Sequence, residues 1–144
     1  MALEQNYSNH VRRVPAFLVT LLLLLATFIG SCVNLYKSWG DHERIYSASL
    51  ILALCIATIA ACLFSRTFAL KAQDRAVRAE ENLRHYVLTG KLLDGRLEVP
   101  QIVALRFAPD AELPDLARQA AEQGTAPDAI KKSIKNWCAD WYRV

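Results

Sequence analysis

From Ile45 to Phe64 the chain reads IYSASLILALCIATIAACLF, without one charged side chain. A helix of roughly 20 such residues matches the hydrocarbon thickness of a bilayer. Along it Ser49, Ala53, Ala57, Ala61 and Ser65 recur four apart, and all are small. Small side chains let a second backbone come close, which is how helices associate in lipid, where no hydrophobic effect draws them together. The remainder of the chain is read around this segment.

A second uncharged run, residues 14–36, precedes it. At about 1.5 Å per residue it also spans a bilayer, with tilt to spare. Pro15 stands in its first turn, where a missing N–H costs little. Thr20, Thr27, Ser31 and Asn34 share one face. A polar stripe in lipid is expected to face protein, so it is placed against the small-residue row of the second helix. A solute pathway is disfavoured, because the stripe holds hydroxyls and one amide but no carboxylate or base.

Residues 37–44 join the two runs, so 14–65 is expected to form an antiparallel transmembrane hairpin with spans 14–36 and 45–65. Arg12 and Arg13 flank one end of the first span, and Arg66, Lys71, Arg75 and Arg78 follow the second. The loop carries Lys37 and Arg44 against Asp41 and Glu43. This bias puts both termini in the cytoplasm and the loop outside, with Tyr36, Trp39 and Tyr46 as an outer aromatic belt. Asp41, His42 and Glu43 are read as solvated loop, not metal site. Ile29-Gly30-Ser31-Cys32 loosely imitates a lipoprotein signal, but the apolar run continues past Cys32 to Tyr36, which argues against cleavage.

Beyond the hairpin the expectation is cytoplasmic. Residues 66–90 keep a helical habit up to Gly90 and extend the second span as one rod. Phe68, Ala72, Ala76, Ala79, Leu83 and Tyr86 form a narrow seam on it that needs a partner, either the C-terminal unit or a second chain. Residues 91–144 read as a small bundle of short helices, after a connector in which Asp94-Gly95 makes an irregular turn rather than a hairpin. Three helices are expected there. One runs from Pro100 to Phe107, and one lies around 112–123 and stops before Gly124. The last is capped by Thr125 and carries Ile130, Ile134, Trp137 and Trp141 as one stripe. The fold class is therefore all-α, with residues 1–13 as a cytoplasmic N-terminal segment.

The chemistry is thin. The net charge of +3 is too mild and too dispersed to imply nucleic acid. Lys131, Lys132 and Lys135 beside short helices invite a helix-turn-helix reading, but the acidic helix nearby, with Asp110, Glu112, Asp115 and Glu122, would repel phosphates. No phosphate loop, zinc pair or nucleophile elbow is present, and no cofactor or metal is expected. Of the four cysteines, Cys32, Cys55 and Cys62 lie in apolar runs, and no disulfide framework is implied. A pairing of Cys138 with His85 is the one enzymatic arrangement conceivable, and nothing in the sequence requires it.

Three pieces together resemble a known family: NYSNHVRRVP (Asn6–Pro15), QIVALRFAPDAELPDL (Gln101–Leu116) and AIKKSIKNWCADWYRV (Ala129–Val144). They are similar to small bacterial two-pass membrane proteins of unknown function. The resemblance implies a bacterial inner-membrane protein with a cytoplasmic tail and brings no catalytic or binding residues. Asn6, Tyr7, His10 and Arg13, with Trp137 and Trp141, are the residues singled out as a functional motif. The reading is a non-enzymatic accessory or scaffolding subunit that contacts the bilayer and self-associates or joins a larger membrane complex. Its rivals are a membrane-tethered module for nucleic acid or a regulator, and a thiol-dependent enzyme.

Overall fold

The structure is a computed structural model that describes residues 5–11 and 14–140. Among these residues there are five helices and no strand: α1 (Pro15–Lys37), α2 (His42–Thr89), α3 (Val99–Leu105), α4 (Leu113–Gln123) and α5 (Pro127–Ser133). The chain divides into two compact units, Arg13–Ala69 and the pair of segments Met1–Arg12 and Leu70–Val144. The division falls within α2, a single helix of 48 residues.

In the first unit α1 and the first half of α2 form an antiparallel hairpin. The Cys55 thiol points at the Leu24 carbonyl at 3.8 Å, and the Arg66 guanidinium lies 5.4 Å from the Phe17 ring centre. The partner numbers fall on α1 as they rise on α2, as an antiparallel pair requires. Both helices are long and apolar enough to cross a membrane. The turn between them is tighter than the sequence implied. The Asp41 carboxylate accepts the Arg44 N–H at 3.2 Å and caps α2, so His42, Glu43 and Arg44 are helical and not loop. Gly40, at φ 96, supplies the left-handed step before the cap. Cys32 lies inside α1.

The hairpin does not close on the row of small residues. The less exposed positions of α2 include Ile45, Ala48, Leu52, Cys55, Ile59 and Cys62, a series alternately three and four apart, and those of α1 include Phe17, Leu21, Leu24, Phe28, Ser31 and Leu35, likewise. Ser49, Ala53, Ala57, Ala61 and Ser65 are all exposed. Helix geometry gives the reason: a step of four residues advances 400°, so the row drifts about 40° per step, about 160° from Ser49 to Ser65. An alternating three-four pattern drifts only about 20° per heptad and stays on one face. The polar stripe is corrected with it. Thr20, Thr27 and Asn34 are exposed, and only Ser31 is buried. The Thr20 and Thr27 hydroxyls donate to the carbonyls of Ala16 and Leu23 on their own helix, and Ser31 to Phe28. These hydroxyls need no second helix to satisfy them.

In the second unit the helices α3, α4 and α5 pack round a small core. Leu105, Phe107, Leu113 and Ile130 are its largest fully buried side chains, with Leu97, Ile102, Ala117 and Ala120 around them. Each large one contributes about 1.5–3 kcal/mol by leaving water. Gly90 (φ 71) ends α2, its N–H bonded to the Tyr86 carbonyl at 2.8 Å. Gly124 (φ 61) ends α4 in the same left-handed way. Asp94 makes a turn closed by the Leu97 N–H at 3.1 Å. Pro100 and Pro114 stand in the first turns of α3 and α4.

Two expectations fail at α5. Thr125 does not cap it: Ala126 occupies the cap position without a side-chain bond, while the Thr125 carbonyl accepts from Gln101 Nε2 at 2.8 Å. The helix also stops at Ser133, seven residues long, so Ile134 and Trp137 lie beyond it and share no helical stripe, while Trp141 lies outside the described residues. The cause is Glu112. Its carboxylate accepts the backbone N–H groups of Lys135 (3.0 Å) and Asn136 (3.1 Å) and the Asn136 amide (3.0 Å). Those N–H groups would otherwise bond to Lys131 and Lys132 in a continuing helix. Two residues later the Cys138 N–H donates to the Phe107 carbonyl at 2.8 Å, and the chain lies extended over the core.

Candidate functional site

The extended ending and the N-terminal segment meet on one face of the second unit. Asn6 first folds the segment into a turn: its carboxamide oxygen accepts the Ser8 N–H (2.9 Å) and hydroxyl (2.6 Å), while Asn9 Oδ1 accepts the Asn6 N–H (2.7 Å). The turn presents Gln5, Tyr7 and His10 to the helical core. Gln5 is buried and pairs with the backbone of Asp140, accepting its N–H at 2.7 Å and donating to its carbonyl at 3.5 Å. The Tyr7 hydroxyl donates to the Asp128 carboxylate at 2.7 Å, and Lys132, 2.9 Å from the same carboxylate, lies over the Tyr7 ring at 5.3 Å. The Tyr7 hydroxyl, helped by Lys132, holds the Asp128 carboxyl below its usual range.

His10 is the centre of the contact. Its ring stacks on Tyr7 (5.7 Å), stands edge-on to Phe107 (5.8 Å) and tilts against Trp137 (5.6 Å). Phe107 and Trp137 lie 4.8 Å apart, and Arg106 covers the Phe107 ring at 4.8 Å while pairing with Asp140 at 3.2 Å. His10 Nδ1 is 2.6 Å from the Tyr7 carbonyl, which can only accept, so this nitrogen carries the hydrogen. Nε2 is then the acceptor for the Lys131 ammonium, 3.2 Å away.

Asn6, Tyr7, His10 and Trp137 are thus gathered in one place, though separated by well over a hundred residues of sequence. Arg13 and Trp141 lie outside the described residues. Gln5, Phe107, Asp128 and Lys131 belong to the same cluster and were missed. Phe107 sits in a helix-like segment whose apolar pattern reads as ordinary core, and Gln5 has no sequence signal at all.

A concavity of about 440 Å³ lies on the same unit, lined by Val77, Glu80, Glu81 and Arg84 of α2 and by Arg106, Cys138, Ala139 and Asp140. Burial pushes the Glu81 carboxyl up, and the Arg84 guanidinium at 3.2 Å offsets this only in part. Burial disfavours the charge on Arg84 as well, but its bonds to Asp110 (2.6 Å) and Glu81 outweigh that and raise its pKa. Arg84 also donates to the Ala108 carbonyl at 2.7 Å, clamping the segment after α3 to α2. Cys138 is exposed, while the His85 ring is turned to the Lys91 carbonyl at 2.7 Å and to Thr89, so the two do not form a thiol–imidazole pair. No group of three metal-ligating side chains occurs among the described residues.

The seam is placed on the opposite side of α2 from this packing. Val77 and Glu81 are buried and Arg84 is half-buried, whereas Phe68, Ala72, Ala76, Ala79, Leu83 and Tyr86 are all exposed. The C-terminal unit does not cover it.

No curated protein and no solved structure matches the chain at a significant level. The likeness carried by the opening, middle and closing motifs does extend to a family model: residues 1–144 match DUF6526, a family of unknown function, and the chain belongs to that family.

Proposed function

We propose that the chain is a non-enzymatic integral membrane protein that crosses a bacterial inner membrane twice, with both termini cytoplasmic. In this reading it is an accessory or scaffolding subunit, working as an oligomer or within a larger membrane complex, that presents the helical unit at the membrane face. One observation carries the reading. Leu22, Leu23, Leu25, Ile29, Leu54 and Ile56 stand half to two-thirds exposed on helices without charge in their apolar stretches. A buried core helix would hide such side chains, and a water-soluble surface does not carry a patch of that extent. Lipid is the solvent that suits them. Tyr36, Trp39 and Tyr46, all strongly exposed around the turn, suit the headgroup layer.

Two of the three lysines on which a nucleic-acid role would rest are otherwise engaged. Lys131 meets His10, and Lys132 is paired with Asp128. The reading therefore gives the Tyr7–His10–Trp137 face a fastening role: it holds the N-terminal segment on the helical unit.

Alkaline carbonate extraction and site-directed thiol labelling of the full chain test the proposal. A chain retained in the pellet, labelled from outside at Trp39→Cys and from inside at Cys138, is the expected result. A chain released into the supernatant, or labelled from outside at Cys138, overturns it.

A further inference from the structure

We infer that the exposed face of α2 between Ala72 and Tyr86 is the contact between two copies of this chain, lying parallel. The face has the three-four spacing of a two-stranded seam: Ala72, Ala76, Ala79, Leu83 and Tyr86 follow at intervals of four, three, four and three. It is no mere row of small residues, since Leu83 is 63% and Tyr86 53% exposed, and Val87 beside them 74%. It is the side of α2 that the chain's own helical unit leaves uncovered, that unit packing over Val77, Glu81 and Arg84.

Charge decides the occupant. With Ala76 and Leu83 in the first core position of each heptad, Arg75 falls immediately before one core residue and Glu80 immediately after the next, five residues on. In a parallel pair of helices these are the two positions that meet across the seam, so Arg75 of one copy faces Glu80 of the other, twice by symmetry. Neither Arg75 nor Glu80 has a hydrogen bond or ion pair with another described residue, so both are at liberty to form the contact. The parallel arrangement rests on the membrane reading above. Two copies inserted with the same topology carry α2 out of the bilayer in the same direction, which is the direction the charge pattern needs. The seam is short, about 21 Å from Ala72 to Tyr86. Confinement of both copies to one bilayer raises their effective concentration enough for so short a contact to matter.

The test uses the full chain in lipid bilayers, with Cys138→Ser as the parent so that its exposed thiol does not interfere. Ala79→Cys should give an oxidised, cross-linked dimer, and Arg78→Cys, on the flank away from the seam, should not. Using the same Ala79→Cys reporter, Arg75→Glu or Glu80→Arg alone should lower the cross-linked fraction about five- to tenfold, as two attractive pairs become repulsive. The double reversal should restore it, which a merely misfolded variant would not do. Absence of an Ala79→Cys dimer, equal cross-linking at both positions, a cross-link only to a different protein, or no rescue by the double reversal each overturns the inference. Carbonate extraction of the same samples reports the membrane reading separately: release of a chain that still shows rescue removes the bilayer and keeps the dimer.

Discussion

The two units of this chain solve opposite problems with the same element, the helix. In the unit Arg13–Ala69 many large apolar residues face outward, Leu22 at 66% and Leu54 at 68% exposed, while the buried positions include Ala48, Cys55 and Ser31 and the large residues between the helices are only partly covered. In the unit holding Leu70–Val144 the pattern is inverted: Phe107, Leu105, Leu113 and Ile130 are inside, and polar groups make the outer fastenings. The difference teaches that composition alone does not define a core. The first arrangement is stable only in a solvent that accepts Leu and Ile; the second builds its own.

The sharpest way to break the comparison is to truncate one large side chain in each unit. Phe107→Ala removes a side chain that is 1% exposed and should cost about 3–5 kcal/mol, unfolding the small helical unit as read by limited proteolysis of the full chain. Leu22→Ala, of comparable chemistry but facing outward, should change stability by less than about 0.5 kcal/mol. Equal effects would mean that α1 is buried after all. Next in size is Leu54→Arg. If lipid surrounds α2, this change costs about 2.5–3.5 kcal/mol and shows as loss of carbonate-resistant chain. If water surrounds it, the change is harmless.

A smaller effect tests what shapes the ending of the second unit. Glu112→Gln keeps the size but weakens the acceptor for the Lys135 and Asn136 N–H groups, for a loss of about 1 kcal/mol seen as faster hydrogen exchange at residues 135–138. Acid should do the same in the native chain. The Lys135 N–H, with Asn136, holds the Glu112 carboxyl below its ordinary 4.5, so its contribution is complete above pH 4.5 and fades as pH falls through the lower folded value. Glu81 runs the other way, since burial raises it: its contribution is present below pH 4.5 and lost as pH rises through the raised value. In Glu112→Gln the acid-induced exchange at 135–138 should disappear. The smallest change is Tyr7→Phe, which removes the bond to Asp128 and should speed exchange across residues 5–11 without altering the global unfolding of the helical unit.

Much of the architecture was legible because it is written in local rules. Pro15, Pro100 and Pro114 mark helix starts, and Gly90 and Gly124 mark stops, as backbone sterics require. The absence of charge from 45 to 64 gives the first half of α2, and the absence of Gly and Pro from 66 to 89 carries it on. The packing faces were less legible. The four-residue row from Ser49 to Ser65 looks like one side of a helix on paper and winds around it in three dimensions, and the faces that meet are defined only by what each helix finds opposite. The cluster round His10 was half visible: the motif residues stood out, but their partners Phe107, Asp128 and Lys131 did not.

By itself, then, the sequence determined where helices begin and end and which stretches avoid charge, because caps, breakers and hydropathy act within a few residues. Only the tertiary structure decided that α5 ends at Ser133, that Trp137 reaches His10 along an extended chain, and which side of α2 is left bare. Each of those outcomes turns on groups far apart in sequence, such as the Glu112 carboxylate competing for N–H groups more than twenty residues away, and no local propensity encodes that competition.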